Sequence, residues 1–276
     1  MRVVSAKKIQ ETIADLCIQA NLYLRRDVSS ALKSAFKKEA NRKAKDILKA
    51  IIDNAAIART LELAICQDTG MPVVFLEIGQ DVRINGDLKS AINKGAEEGY
   101  RRASLRNSII RDPLLRGAPV YSPVVIHIDI VRGNKLKITV LPKGFGCENK
   151  SQLKMFKPTA KIDEIKKFII DCVKIAGPDA CPPYVVGVGI GGTADFACLL
   201  AKKALLRKLT TTNLKLKTLE KDLLKQINKL NIGPMGLGGK TTCLAVNIET
   251  YPTHIAGLPV AVNISCHALR SAGKVI

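Results

Sequence analysis

The sequence predicts a mixed α/β fold: a helical N-terminal lobe over about residues 1–63, then a mixed sheet with flanking helices, all of 1–276 forming a single domain. Three observations predict it. Apolar residues recur at three- and four-residue spacing through the N-terminal stretch, the period of a helix with one buried face. Short apolar runs bounded by Gly, Pro and Asn then alternate with longer amphipathic stretches, as strands alternate with helices. Residues 184–208 read as buried strand, glycine turn and helix in succession, and neither an internal repeat nor a Pro/Ser-rich linker divides the chain.

In chain order, Ile9, Ile13, Leu16 and Ala20 share one helical face and Ala44, Ile47, Leu48, Ile51 and Ile52 another, with Lys, Arg and Glu between them. CQDTG (66–70) is a polar loop that runs into a short buried strand, and helical periodicity resumes over 85–104 after a turn at Asn85-Gly86. Runs 124–131 and 135–141 predict strands, and the Arg-Gly-Asn joining them predicts an antiparallel hairpin. The Gly-rich loop PKGFGCENKS leads to a helix over 161–176, and GPDACPPYVVGVGIGGT to a strand and a helix over 193–208. A lysine-rich amphipathic helix over 213–229, the loop GPMGLGG and strands over 243–249 and 259–265 complete the reading.

With 47% apolar and 25% charged residues, the chain has the composition of a globular protein with a real core. It contains no apolar run of the roughly 18 residues that a membrane span needs. The start, MRVVSAKKIQETIADLC, mixes charge with apolar residues where a signal peptide requires an apolar block, so the expected location is the cytoplasm. Lys and Arg exceed Asp and Glu by 44 − 24 = 20. Aromatics are 4% with no Trp, and the lysines are dispersed along helices, which argues against single-strand binding by base stacking. The charge reads as solvated helix faces, with steering of an anionic substrate and docking of a partner as secondary uses.

Two glycine motifs invite a nucleotide reading and neither supports it. Gly187, Gly189 and Gly192 fit G-x-G-x-x-G, yet the first acid downstream is Glu220, inside a lysine-rich helix, so a tight strand-to-helix turn is expected instead. GPMGLGGKTT has the wrong spacing for a P-loop and follows a helix. The eight cysteines (17, 66, 147, 172, 181, 198, 243, 266) include no C-x-x-C pair, which removes zinc ribbons, the usual ferredoxin run and thioredoxin chemistry. Reduced thiols in a cytosolic chain are more often buried apolar groups than ligands. Three stand apart: Cys66 in CQDTG beside Gln67 and Asp68, Cys181 before Pro-Pro, and Cys266 at a strand end beside His267. Thiols in loops next to an acid, an amide and an imidazole point toward metal, with a basic, redox-sensing or nucleic-acid-binding protein as the rival from another class.

CQDTG (66–70), NSIIRDPL (107–114), PKGFGCENK (142–150), CPPYVVGVGIGGTAD (181–195), GPMGLGGKTT (233–242) and PTH with Cys266 beyond it recur in this order in one family. The chain resembles the α subunit, equivalent to the N-terminal domain, of class I fumarate hydratases and the related L(+)-tartrate dehydratases, and the resemblance extends from about residue 5 to the C-terminal end. It implies an oxygen-sensitive hydro-lyase that hydrates fumarate to (S)-malate reversibly, or dehydrates L(+)-tartrate, with a 4Fe-4S cluster held by three cysteines and one iron left without a protein ligand. By motif those cysteines are Cys66, Cys181 and Cys266, and thiolates are the soft ligands such a cluster takes. Cys147 departs from the family, which usually has Ser there; Cys17, Cys172 and Cys198 read as helix core.

The resemblance further implies substrate contacts from Gln67, Asp68, Arg106 and the backbone of Gly144 and Gly146, and an acid/base relay of Asp68 and His254. His127, in an alternating strand, reads as structural. The family's remaining catalytic Thr, Arg and Lys belong to its C-terminal domain. A separate β subunit carrying them is therefore expected, in an α2β2 assembly.

Overall fold

The computed structural model describes residues 1–209 and 215–276. Its elements run β1 (Arg2–Ser5), α1 (Ala6–Leu22), α2 (Arg26–Lys38), α3 (Arg42–Thr60), β2 (Met71–Gly79), β3 (Val82–Asn85), α4 (Leu88–Arg102), β4 (Val125–Val131) and β5 (Leu136–Lys143). They continue with α5 (Phe145–Glu148), β6 (Gln152–Phe156), α6 (Ile162–Ala176), β7 (Tyr184–Gly192), α7 (Ala194–Leu206), α8 (Lys217–Asn228), β8 (Cys243–Thr253), β9 (Leu258–Ser265) and β10 (Ala272–Val275). The class is mixed α/β, as predicted. The start of the helix expected over 213–229 lies outside the described residues. The chain forms two compact units, one of Met1–Arg25, Ala55–Phe145 and Arg270–Ile276, the other of Arg26–Asn54 and Gly146–Leu269.

The first unit carries a sheet in the order β10-β5-β2-β4 and a parallel pair β1-β3. The predicted hairpin of β4 and β5 does not form: β2 lies between them, parallel to β4 and antiparallel to β5. Burial explains the insertion. Residues 72–76 of β2 are buried without alternation, so both faces of this strand need cover, whereas β4 exposes Ile130 and Val131 at the edge. The Arg-Gly-Asn segment thus spans a strand instead of closing a two-stranded turn. Ser5 caps α1 by accepting from the Lys8 amide at 3.2 Å, and Asp87 caps α4 through the Ser90 amide at 3.0 Å. The two helices pack closely because Gly95 and Gly99 carry no Cβ; one added at Gly99 would stand 2.5 Å from the Ala14 carbonyl oxygen. Ile9, Ile13, Ile92, Leu76, Leu136 and Ile138 join in the core beneath them.

In the second unit the order is β6-β9-β7-β8, with β7 parallel to β8 and antiparallel to β9. Alternation along β7 sorts its residues. Val186 and Val188 enter the apolar cluster of α6 and α8, while Gly187 and Gly189 point to α7. A Cβ at Gly189 would lie 2.0 Å from the Ala197 carbonyl oxygen, so these glycines let a helix settle onto a strand. The predicted tight turn is made further on, by Gly191 and Gly192 at φ +93° and +70°. Cys17 and Cys172 are buried helix residues as expected, but Cys198 is exposed, one position past the α7 face that buries Ala197 and Ala201.

A buried ion pair ties α8 to the sheet. Arg207 donates to Glu220, and also to Glu249 at 3.1 Å and Asn247 at 3.2 Å, while Glu220 accepts from the Ile248 amide at 2.9 Å. The Arg207 and Glu220 side chains are only 14% and 6% exposed, so removing one partner strands charge in a poorly solvated place. Glu220→Ala is expected to lower unfolding free energy by about 3 kcal/mol, the low end for a broken buried pair, because Glu249 remains for Arg207. Urea unfolding followed by circular dichroism measures it.

Candidate active site

The loop 66–70 is held from every side within the first unit. Asn21, in the last turn of α1, accepts the Ile65 amide at 3.0 Å just before Cys66. The hydroxyl of Tyr100 donates to the carbonyls of Thr69 at 2.7 Å and Gly70 at 3.1 Å, and Thr69 Oγ1 donates to the Arg106 carbonyl at 3.1 Å. Burial pushes the Tyr100 hydroxyl far above its ordinary range, so it stays protonated and remains a donor. Gly70, at φ +70°, brings its backbone against Lys143; a Cβ there would meet the Lys143 backbone at 2.8 Å.

This framework aims the Asp68 carboxylate. Its Oδ1 accepts from the Gly70 amide at 3.0 Å and its Oδ2 from the Phe145 amide at 2.9 Å. Gly144 leaves room for it, since a Cβ at that position would stand 3.0 Å from Oδ2. Asp68, Arg106, Asn107, Ser108, Arg116 and Phe145 line a cavity of about 340 Å³. Asp68 and Arg106 therefore share a cavity, and Gly144 shapes its carboxylate corner. Gln67 is exposed in the same loop. Arg116 was not anticipated. It turns at φ +67° after Asp112, whose carboxylate accepts the Leu114 and Leu115 amides at 2.9 Å each, and a second guanidinium in the cavity suits a substrate with two carboxylates. The only sequence signal was an arginine just before Gly117 in a turn.

The second unit brings Cys181 and the 266–267 segment together. The Cys181 carbonyl accepts the His267 amide at 3.4 Å and lies 3.0 Å from His267 Nδ1. Cys181 sits at φ +56°, a conformation that costs a non-glycine residue energy and persists only where neighbours enforce it. They do so here. The Cys181 amide donates to Pro178 at 3.1 Å, and the Pro182 carbonyl accepts the Met235 amide at 2.8 Å. Cys147, buried, donates its thiol to the Ala180 carbonyl at 3.3 Å, an anchoring contact that a serine hydroxyl also makes. Gly146 and His254 belong to this unit as well; His254 is exposed, with Nδ1 accepting the Ala256 amide at 3.2 Å. His127, in the first unit, stacks on Phe75 with centroids 5.1 Å apart.

The chemistry of the thiols separates the cysteines. Burial pushes the Cys17, Cys172 and Cys243 thiols up to about 12, as for sulfur packed into a core. Each of Cys66, Cys181 and Cys266 is half-buried and lies in a loop or just beyond a strand, and its thiol carries the soft sulfur that an iron–sulfur centre takes. Among the described residues, no three His, Cys, Asp or Glu side chains converge as a single metal ion requires. A four-iron cluster, being larger, spaces its ligands more widely. The P-loop-like GPMGLGGKTT is occupied by the chain itself: Glu39 accepts the Lys240 amide at 2.7 Å and Asn231 the Gly239 amide at 2.9 Å, donors that a phosphate would need. No helix among the described residues is long and apolar enough to cross a membrane.

Residues 10–274 match the family model described as Fumarate hydratase (Fumerase). A Methanocaldococcus jannaschii protein provisionally named L(+)-tartrate dehydratase subunit alpha is 43% identical over 276 aligned residues, 97% of each chain. The L(+)-tartrate dehydratase subunit alpha of Escherichia coli strain UTI89 is 31% identical, and that of strain K12 30%, each over 96% of this chain and 90% of the relative.

Proposed function

Because the chain belongs to the fumarate hydratase (Fumerase) family, a family of hydro-lyases, we propose that it is the cluster-carrying α subunit of an iron–sulfur hydro-lyase acting on a C4 dicarboxylate. The proposed reaction is reversible hydration of fumarate to (S)-malate. A second reading, dehydration of L(+)-tartrate, is favoured by the names of the relatives. The observation that carries the common part is the 66–70 loop, where a half-buried thiol precedes a carboxylate fixed by two amides beside two arginines. Residues 1–276 are read as one catalytic domain in the cytoplasm, with the N-terminal helices over about 1–63 as its lobe.

In this reading Cys66, Cys181 and Cys266 hold a 4Fe-4S cluster. When bound, the cluster supplies a Lewis acid at the iron without a protein ligand, which makes the substrate hydroxyl a better leaving group without redox change. The protein does the rest. Arg106 holds one substrate carboxylate through its planar fork, assisted by Gln67 and the backbone at Gly144 and Gly146. Asp68 and His254 serve as the acid/base relay of the reaction. The amides of Gly70 and Phe145 keep the Asp68 carboxylate from swinging away. A separate β subunit completes the site, and the relatives' names as α subunits support it; an α2β2 assembly is the proposed form. The test is to reconstitute this chain anaerobically with the β subunit and compare malate with L(+)-tartrate. Turnover of one at least about tenfold faster selects the substrate, and turnover of neither contradicts the proposal.

A further inference from the structure

Arg270 is only 4% exposed, yet among the described residues most of its hydrogen-bonding capacity is unused. One Nη2 hydrogen bond goes to the main-chain carbonyl of Asp68. Nε and Nη1 are buried and have no hydrogen-bond partner among the described residues. The nearby Asp68 carboxylate accepts from the Gly70 and Phe145 amides instead. A guanidinium is always charged, and taking it out of water with open N–H groups is unfavourable unless an anion meets them. A residue needed only to pin the loop could be smaller and neutral.

Its place in the chain suggests what the anion is. Asp68 is two residues after Cys66, and Arg270 is 270 − 266 = 4 residues after Cys266. We propose that Arg270 is a positioning residue of the metal centre: it fixes the 66–70 loop through the Asp68 carbonyl and gives its remaining N–H groups to the negative charge of the cysteine-bound cluster. This rests on the cluster reading. Three thiolates and four sulfides outweigh the charge of the irons, so the group is anionic, and hydrogen bonds and net charge around the sulfurs set its potential.

The experiment compares wild type, Arg270→Gln and Arg270→Lys after anaerobic cluster reconstitution, reading iron retention against a chelator and reduction potential by EPR-monitored titration. Arg270→Gln is expected to lose iron about 10- to 100-fold faster, as when an outer-shell partner of a metal ligand is removed, and to shift the potential to more negative values, because reduction adds negative charge that the cation stabilised. Arg270→Lys is expected to retain a potential near that of wild type, since it keeps the charge, while still losing iron faster, since an ammonium lacks the fork. That split is not produced by general destabilisation. Should Arg270→Gln fail to fold, the split in Arg270→Lys decides. A wild-type protein that keeps its cluster, with variants matching it in both readouts, overturns this inference alone; a wild-type protein that takes up no cluster overturns the functional reading as well.

Discussion

Cys181→Ser is expected to abolish cluster retention, whereas Cys198→Ser leaves iron content at the wild-type level. Serine matches cysteine in shape and tolerates the φ of +56° no worse, and it keeps the backbone hydrogen bonds to Pro178 and His267. The fold is therefore retained, and the loss reports only the exchange of a soft sulfur for a hard oxygen. Cys198 supplies the control, as an exposed thiol on α7 with no part in the proposed centre. Iron and acid-labile sulfide, measured after anaerobic reconstitution, discriminate the two. Equal loss in both variants refutes the assignment of the ligands.

Asp68→Asn is expected to keep the cluster while lowering kcat by about 10²- to 10⁴-fold, the usual contribution of a positioned proton-transfer group. Asparagine still accepts the Gly70 amide through its oxygen, though it gives up the Phe145 amide, and its NH2 cannot take a proton from carbon. A loss in kcat with iron content unchanged separates proton transfer from loop integrity. Wild-type turnover in this variant, assayed with the β subunit present, would remove Asp68 from the mechanism.

The elements that were legible in the sequence are those whose packing is dictated by their own residues. Helix α6 was expected over 161–176 and runs from Ile162 to Ala176, because its apolar period, the Glu164 side chain returning to the Lys161 amide and the terminal Gly177 all agree. Strand order was not legible. Arg-Gly-Asn has the chemistry of a hairpin turn, and only the two-sided burial of β2 decides that a third strand enters between β4 and β5. Strands β1 and β10, four residues each, are too short to show a period and exist through their partners. Gly187 and Gly189 looked like a ligand loop because close backbone approach to a helix and to a phosphate makes the same demand, the absence of a Cβ.

The candidate site divides in the same way. Asp68 and Arg106 were singled out by the motifs that carry the family resemblance, and the structure puts both on one cavity. Arg116 and Arg270 were not, since an arginine near a loop normally signals solvent. Only the cavity lining reveals the first and only burial with open N–H groups the second. Cys198 was misjudged because α7 rests on glycines, which shifts its buried face toward Ala197 and Ala201.

The central proposal is a cluster bound by three cysteines with one iron left open to a hydroxy acid. Mössbauer spectroscopy of the anaerobically reconstituted chain, recorded with its β subunit before and after adding malate or L-tartrate, tests it most directly. The account predicts about four irons per chain, with a single iron site changing its isomer shift and quadrupole splitting when substrate is added. Iron-free protein, or a cluster whose irons all keep their parameters in the presence of both acids, would contradict it.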